Sequence, residues 1–206
     1  MKSRIWMVTL LLIVGGVSAA MLGVINVYTA PIVAYNKETK LKKTVLDVFG
    51  ISYTEENLDA VFKKGVKPKI EEDFVHYELY GKDKEGEKLA AVAFEVDGPG
   101  FWAPISAIIA LEPDLETIKD IKILSQTETP GLGARIIEPE FQAQFKGKKI
   151  KPNFTIVSYR KAVGTNEVDG VTGATQTSKA LETIINKNAK IFFEKLGKGK
   201  APVSYR

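Results

Sequence analysis

The sequence predicts an α+β protein, with one N-terminal transmembrane helix followed by a single domain of antiparallel strands with flanking helices. Three observations carry this. Residues 5–36 contain no charged side chain. From Phe74 the apolar residues switch to short alternating runs grouped as hairpins. The chain then closes on a long amphipathic pattern, with Leu181, Ile184, Ile185, Ala189, Phe192 and Leu196 on one helical face. Strands grouped together with helices at the ends point to α+β rather than a doubly wound sheet.

Residues 1–4 form a short positive leader with Lys2 and Arg4, placed on the cytoplasmic side. Residues 5–30 are the transmembrane helix, since about 20 apolar residues span a bilayer. Gly15, Gly16 and Gly23 are tolerated there and could pack against other membrane subunits. Val17-Ser18-Ala19 resembles a signal-peptide cleavage site, but the apolar stretch exceeds the roughly 7–15 residues of a signal core. An uncleaved anchor is therefore expected. Lys2 and Arg4 argue for a cytoplasmic N-terminus, while Lys37, Lys40, Lys42 and Lys43 argue the reverse.

Pro31 is expected to kink the helix or to mark its end. Residues 31–68 then read as a juxtamembrane helix ending at Gly50 and a connector with a short helical piece. The domain proper is residues 69–196. Within it, residues 74–96 read as a hairpin, and residues 104–113, 116–127 and 154–162 as strands. Residues 138–145 read as a short helix, and the amphipathic helix runs to about Leu196. Residues 197–206 are a polar tail expected to be mobile.

Composition removes several function classes. The 206 residues contain no Cys, and His76 is the single His. Disulfides, thiolate-held iron–sulfur clusters, c-type haem and Cys/His zinc sites are thereby excluded, and no metal is expected. A Ser-His-Asp hydrolase would need His76, which sits in a strand-like run. Any redox chemistry must use an organic cofactor. The net charge of +4 is spread through the chain with no basic stripe, so no nucleic acid is expected as partner.

Three glycine-rich loops stand out: Gly98–Pro104, Glu128–Gly133 and Asp169–Thr175. None is a P-loop or a complete dinucleotide fingerprint. Glycines let backbone N–H groups approach a ligand. A helix N-terminus, such as the one expected at Thr175, suits a phosphate. Lys179, one turn on, could add a cation, and Trp102 or Phe101 could cover a flat ring. On the residues alone the plain alternative stays open: simple turns, a core Trp102, and Thr175 or Thr177 as helix cap.

Asp169-x-x-Thr172-Gly173-Ala174-Thr175 resembles the D-x-x-[ST]-G-A-T signature of covalent flavin acceptors. "GPGFWAPI" and "ETPGLGAR" resemble the other glycine loops of the same covalent FMN-binding family. That family comprises the G subunits of Rnf ion-translocating ferredoxin:NAD oxidoreductases and the C subunits of sodium-translocating NADH:quinone oxidoreductases. The resemblance implies FMN joined to Thr175 by a phosphoester, installed from FAD by an extracytoplasmic flavin transferase. Asp169 and Thr172 are implied in recognition by the transferase, Gly170 and Gly173 in shaping the loop, and Ala174 in binding the cofactor. Trp102, Glu128, Thr129, Leu132 and Gly133 are implied as neighbours of the flavin, and Lys179 as a partner of its phosphate. Thr177 or Ser178 either donates to the phosphate or caps the helix.

The chain's short length points within the family to a G-type subunit. The implied role is an electron carrier with no catalytic residue of its own, working as part of a translocating oxidoreductase. Its implied partners are the other Rnf subunits, the transferase during maturation, and membrane lipid. The implied location is the cell (inner) membrane, single-pass, with the soluble domain outside the cytoplasm. A C-type subunit, or a non-redox FMN-binding regulatory or structural module, is the alternative.

Overall fold

The computed structural model describes residues 2–71, 74–83 and 86–199. The chain divides into two compact units, residues 1–41 and 42–206. The first consists of most of helix α1 (Lys2–Phe49). That helix is long and apolar enough to cross a membrane, and none of its apolar window is buried within the protein. At 1.5 Å per residue its 48 residues extend roughly 70 Å, more than twice a hydrocarbon core.

Pro31 lies inside α1 and does not end it. The ring removes one N–H, the one that would reach the Val27 carbonyl, and the helical bonds around it suffice. The separate amphipathic helix expected after Pro31 is therefore the continuation of α1. It stops where predicted. Gly50 adopts φ +73°, its N–H bonds Asp47 O at 2.9 Å, and Ile51 N bonds Leu46 O at 3.0 Å. This is a Schellman arrangement, which needs a left-handed residue just past the helix.

In the second unit, Val45, Leu46, Val48 and Phe49 are buried. Helix α2 (Leu58–Gly65) follows, tied back by Lys42–Asp59 at 2.7 Å. Five strands then form one sheet in the order β1-β2-β3-β4-β5, every neighbour antiparallel: β1 (Val66–Glu71), β2 (Phe74–Asp83), β3 (Gly86–Pro99), β4 (Pro104–Leu111) and β5 (Ile118–Ser125). The sequence pattern shows no strand at β1. Only its first residue is buried and it carries Pro68, features confined to an edge strand that pairs on one side.

A short 3-10 helix (Gly133–Ile137) leads to helix α3 (Pro139–Ala143). Strands β6 (Thr155–Val157) and β7 (Glu167–Asp169) form a small parallel pair. Strand β6 is shorter than the sequence predicts, and β7 is not predicted at all. Side chains of helix α4 (Thr175–Gly199) satisfy the free edge of β6. Asn186 Oδ1 accepts from Phe154 N at 2.8 Å, Asn186 Nδ2 donates to Phe154 O at 2.7 Å, and Glu182 Oε2 accepts from Ile156 N at 2.8 Å. A strand paired on one side and capped by a helix on the other need not be long.

Helix α4 packs on β3, with the Phe192 and Phe94 rings stacked 4.2 Å apart and nearly parallel. A Cβ on Gly98 would lie 2.9 Å from Ile184 Cγ1, so glycine permits this close approach. The expected tail begins later than position 197, because α4 runs to Gly199. The rest of that tail, like Met1, lies outside the described residues.

Candidate functional site

The three glycine loops converge. The first joins β3 to β4. Gly100 N donates to Ala103 O at 3.0 Å, and the turn is too tight for a side chain. A Cβ on Gly100 would meet Ala103 O, Glu128 Oε1 and Ile105 Cδ1, the last at 2.8 Å. The turn pushes Phe101 and Trp102 outward. Trp102 is 70% exposed, so it is not a core residue, and its ring meets Phe101 edge-on at 5.3 Å.

The second loop follows β5. Its first residue, Glu128, is buried. Oε1 accepts from Trp102 N at 3.0 Å and, more loosely, from Ala103 N at 3.5 Å. Oε2 accepts from Thr177 Oγ1 at 2.8 Å. Burial pushes the Glu128 carboxyl up. The donors of Trp102, Thr177, Ala103 and Phe101 outweigh that and hold it below the usual carboxylate range. The loop closes through Leu132 N and Ala134 N, both 3.1 Å from Thr129 O.

The third loop leaves β7 and enters α4. Gly170 N donates to Val157 O at 2.7 Å, and Ser178 Oγ accepts from Val171 N at 3.1 Å. Gly173 takes φ +81°, which L side chains rarely adopt. The first α4 bond runs from Ser178 N to Ala174 O at 3.0 Å. The N–H groups of Thr175, Gln176 and Thr177 therefore have no intrahelical acceptor.

Between the loops lies a cleft of about 250 Å³. The first loop contributes Phe101 and Trp102 to it, the second Thr129, Leu132 and Gly133, the third Gly173 and Ala174, and α4 Thr175, Gln176 and Thr177. Thr175 is half-buried at the start of α4, and its hydroxyl has no hydrogen-bond partner among the described residues. The cleft thus offers one unengaged hydroxyl, a helix N-terminus with unpaired N–H donors, and an apolar aromatic rim. That combination fits a ligand with one phosphate and one flat ring.

Of the sequence-derived positions, Thr175, Gly173, Ala174, Phe101, Trp102, Thr129, Leu132 and Gly133 meet here. Gly170 lies outside the lining, its N–H bonded to Val157 O, and four others do not line it either. Glu128 sits behind the Gly133 wall with both oxygens engaged inward. Thr172 is exposed beside the cleft and does not line it. Asp169 faces the preceding loop, accepting from Ala162 N at 2.7 Å and Lys161 Nζ at 3.1 Å. Lys179 pairs with Glu182 and lines a separate, larger groove of about 710 Å³ beside Ile150–Asn153.

Neither hydroxyl whose role the sequence leaves open reaches out. Thr177 is committed to Glu128, and Ser178, fully buried, to Val171. Gln176 is a lining residue that the sequence does not single out, because one exposed polar residue in a helical first turn carries no pattern.

Residues 100–190 match the family described as the FMN-binding domain. Every residue lining the cleft falls inside that stretch.

The chain is also similar to the C subunit of the Na(+)-translocating NADH-quinone reductase of Vibrio vulnificus, 37% identical over 105 residues, which is 48% of this chain and 41% of the relative. The corresponding protein of Haemophilus ducreyi is 35% identical over 106 residues, covering 49% of this chain and 41% of the relative. The match thus spans about two fifths of these relatives' length.

Among solved structures, Shewanella oneidensis NqrC superposes with a TM-score of 0.68 at 22% identity, covering 80% of this chain and 99% of that one. The C subunit of the Na(+)-translocating NADH-quinone reductase from Parabacteroides distasonis gives 0.64 at 22% identity, covering 78% and 93%. The predicted α+β fold, with its antiparallel-sheet domain, is the fold of these structures.

Proposed function

We propose that this chain is a membrane-anchored subunit of an ion-translocating NADH:quinone oxidoreductase and carries FMN through a phosphoester on Thr175. The observation that carries the reading is the unengaged Thr175 hydroxyl. It lies at the N-terminus of α4, in a cleft built by three glycine loops, within the stretch that matches the FMN-binding domain. The relatives are C subunits, which favours a C-type role over the G-type Rnf role implied by the short length. The partners are then the other subunits of such a complex, with a flavin transferase acting during maturation. The flavin domain lies on the extracytoplasmic face, where the transferase works.

Bound FMN supplies reversible acceptance and release of electrons, while the chain supplies placement. During attachment the Thr175 oxygen displaces AMP from the FMN-side phosphorus of FAD, and the hydroxyl proton leaves. The transferase activates this weak nucleophile, since no base among the described residues is bonded to Thr175. The N–H groups of the first α4 turn then hold the phosphodiester charge. Gly173 keeps the backbone low beside it, and Phe101, Trp102 and Leu132 supply an apolar flank for the ring. At about 250 Å³ the cleft is smaller than the roughly 300–1,000 Å³ sites that engulf a drug-sized ligand. The cleft would therefore hold the group without enclosing it, leaving room for an electron partner.

Intact-mass analysis with peptide mapping, on chain co-produced with its transferase, tests the reading. The expected result is a gain of one FMN less one water on the Thr175 peptide, lost in Thr175→Ala. No flavin, or flavin on another residue, overturns the attachment. Electron transfer that survives Thr175→Ala in the assembled complex overturns the carrier role and leaves a binding or structural module.

A further inference from the structure

The family resemblance implies Glu128 as a flavin neighbour, and the structure gives it a different place. It is a buried carboxylate beneath the cleft, and it ties the first and second glycine loops to the first turn of α4. It is itself in the second loop, with its N–H held by Gln126 Oε1 at 2.6 Å. One oxygen receives the first loop at Trp102 N, and the other receives α4 at Thr177 Oγ1, two residues past Thr175. The packing leaves no slack. A Cβ on Gly133 would lie 3.0 Å from Glu128 Oε2 and would overlap Thr177 Oγ1. Gly133 is the cleft wall, so the carboxylate lies directly behind it.

We infer that Glu128 is a positioning residue that fixes the spacing between the aromatic loop and the Thr175 end of α4, and places a fixed negative charge behind the flavin. This rests on the FMN reading above. The two consequences separate by chemistry. Geometry needs two acceptors or a donor–acceptor pair at this point. Charge needs the carboxylate itself. Gln at this position keeps the geometry, because its Oε1 accepts from Trp102 N and its Nε2 donates to the Thr177 oxygen. Ala removes both. A buried negative charge opposes the addition of electrons to a neighbouring flavin, so removing it raises the midpoint potential.

The test uses the full chain in detergent as wild type, Glu128→Gln, Glu128→Ala and Thr177→Val. Hydrogen–deuterium exchange is read first on chain made without transferase, where flavin plays no part. In Glu128→Ala both the 98–104 and 171–178 segments exchange faster, while the 107–111 core of β4 stays protected. In Thr177→Val, which leaves the carboxylate in place, only the 171–178 segment does so. Chain made with transferase is then read for flavin mass and potential. Glu128→Ala is expected to incorporate flavin at least about tenfold more slowly. Glu128→Gln recovers most of that rate, and its flavin has a higher midpoint potential than wild type. Unchanged exchange in both segments of Glu128→Ala overturns the tie, whatever the flavin result. A Glu128→Gln potential equal to wild type overturns the charge role. If wild type takes no flavin while the exchange pattern holds, the FMN reading fails and the clamp stands.

Discussion

Lys179 and Glu182, one turn apart on α4, form an ion pair beside the Ile150–Asn153 segment rather than in the cleft at Thr175. Glu182 is anchored in turn, because its second oxygen accepts from Ile156 N. Helical spacing from Thr175 alone suggests that Lys179 could neutralise a phosphate. The i,i+3 partner captures it first.

Lys179→Ala is therefore expected to leave flavin incorporation at the wild-type level. It should change unfolding free energy by about 1 kcal/mol or less, because the lysine end of the pair is exposed and buried Glu182 keeps its bond from Ile156 N. Glu182→Ala strands the buried Ile156 N–H and is expected to cost about 1–3 kcal/mol. Intact mass and urea unfolding of the two variants check both halves.

Two glycines of the second loop separate backbone conformation from space. Gly131 has φ +73° and open space within 4 Å of where a Cβ would sit, whereas a Cβ on Gly133 runs into Thr177 and Glu128. Gly131→Ala is expected to cost about 1–2 kcal/mol of backbone strain with incorporation of flavin retained. Gly133→Ala is expected to cost about 1–3 kcal/mol from overpacking and to slow incorporation, because it displaces the Glu128–Thr177 bond. Equal incorporation by the two variants would contradict this division.

The parts legible in the sequence are those with local signals. The charge-free apolar run at 5–36, the alternation from Phe74, and the Gly50 stop are each set by nearby residues, and the observed elements follow them. Strand β1 is illegible because an edge strand with Pro68 buries almost nothing. Strand β7 is illegible because three residues show no period, and its partner β6 is equally short. The motif loops mark the site, yet not the direction of each side chain. Glu128 turns inward because two N–H groups of the first loop and the Thr177 hydroxyl, far away in sequence, meet there. Asp169 turns to Ala162 and Lys161 for the same kind of reason.

The loop before β7 depends on one carboxylate. Glu167 binds Arg160 in two-pronged fashion at 2.6 and 2.8 Å and accepts from Val163 N and Gly164 N, each at 3.1 Å. The Arg160 hydrogen bond, with those backbone donors, lowers its pKa from 4.5 to about 2. A carboxylate depressed on folding stabilises the loop fully above its unfolded pKa, and the contribution is lost as pH falls through the folded value. The 160–167 loop is thus expected to hold at about pH 5 and to loosen between about pH 4.5 and 2. NMR titration of the Val163 and Gly164 amides checks this, and Glu167→Gln should abolish the transition. A transition in those amides centred near pH 4.5 would contradict it.

The position of Thr175 is expected to depend on the later turns of its own helix as well as on the first. Phe192 is fully buried, and its ring stacks on Phe94 of β3 at 4.2 Å with 6° between planes. Phe74 lies 5.9 Å from the Phe192 ring, so the contact joins α4 to β2 as well. The Thr177–Glu128 bond holds the first turn at one point, and the Phe192 contact fixes the direction of the helix axis from there. Phe192→Ala empties a ring-sized volume in a closed aromatic cluster, and the expected loss is about 3–5 kcal/mol. Phe192→Leu keeps most of the volume, so it should lose less. Urea unfolding of the full chain in detergent, followed by Trp102 emission, measures both, since Trp102 hangs on Glu128 and through it on α4. If α4 acts as one rigid element, flavin incorporation falls in the same order as stability although position 192 is 17 residues from Thr175. Incorporation that holds in Phe192→Ala while stability drops would show that the Glu128 tie alone suffices to present Thr175.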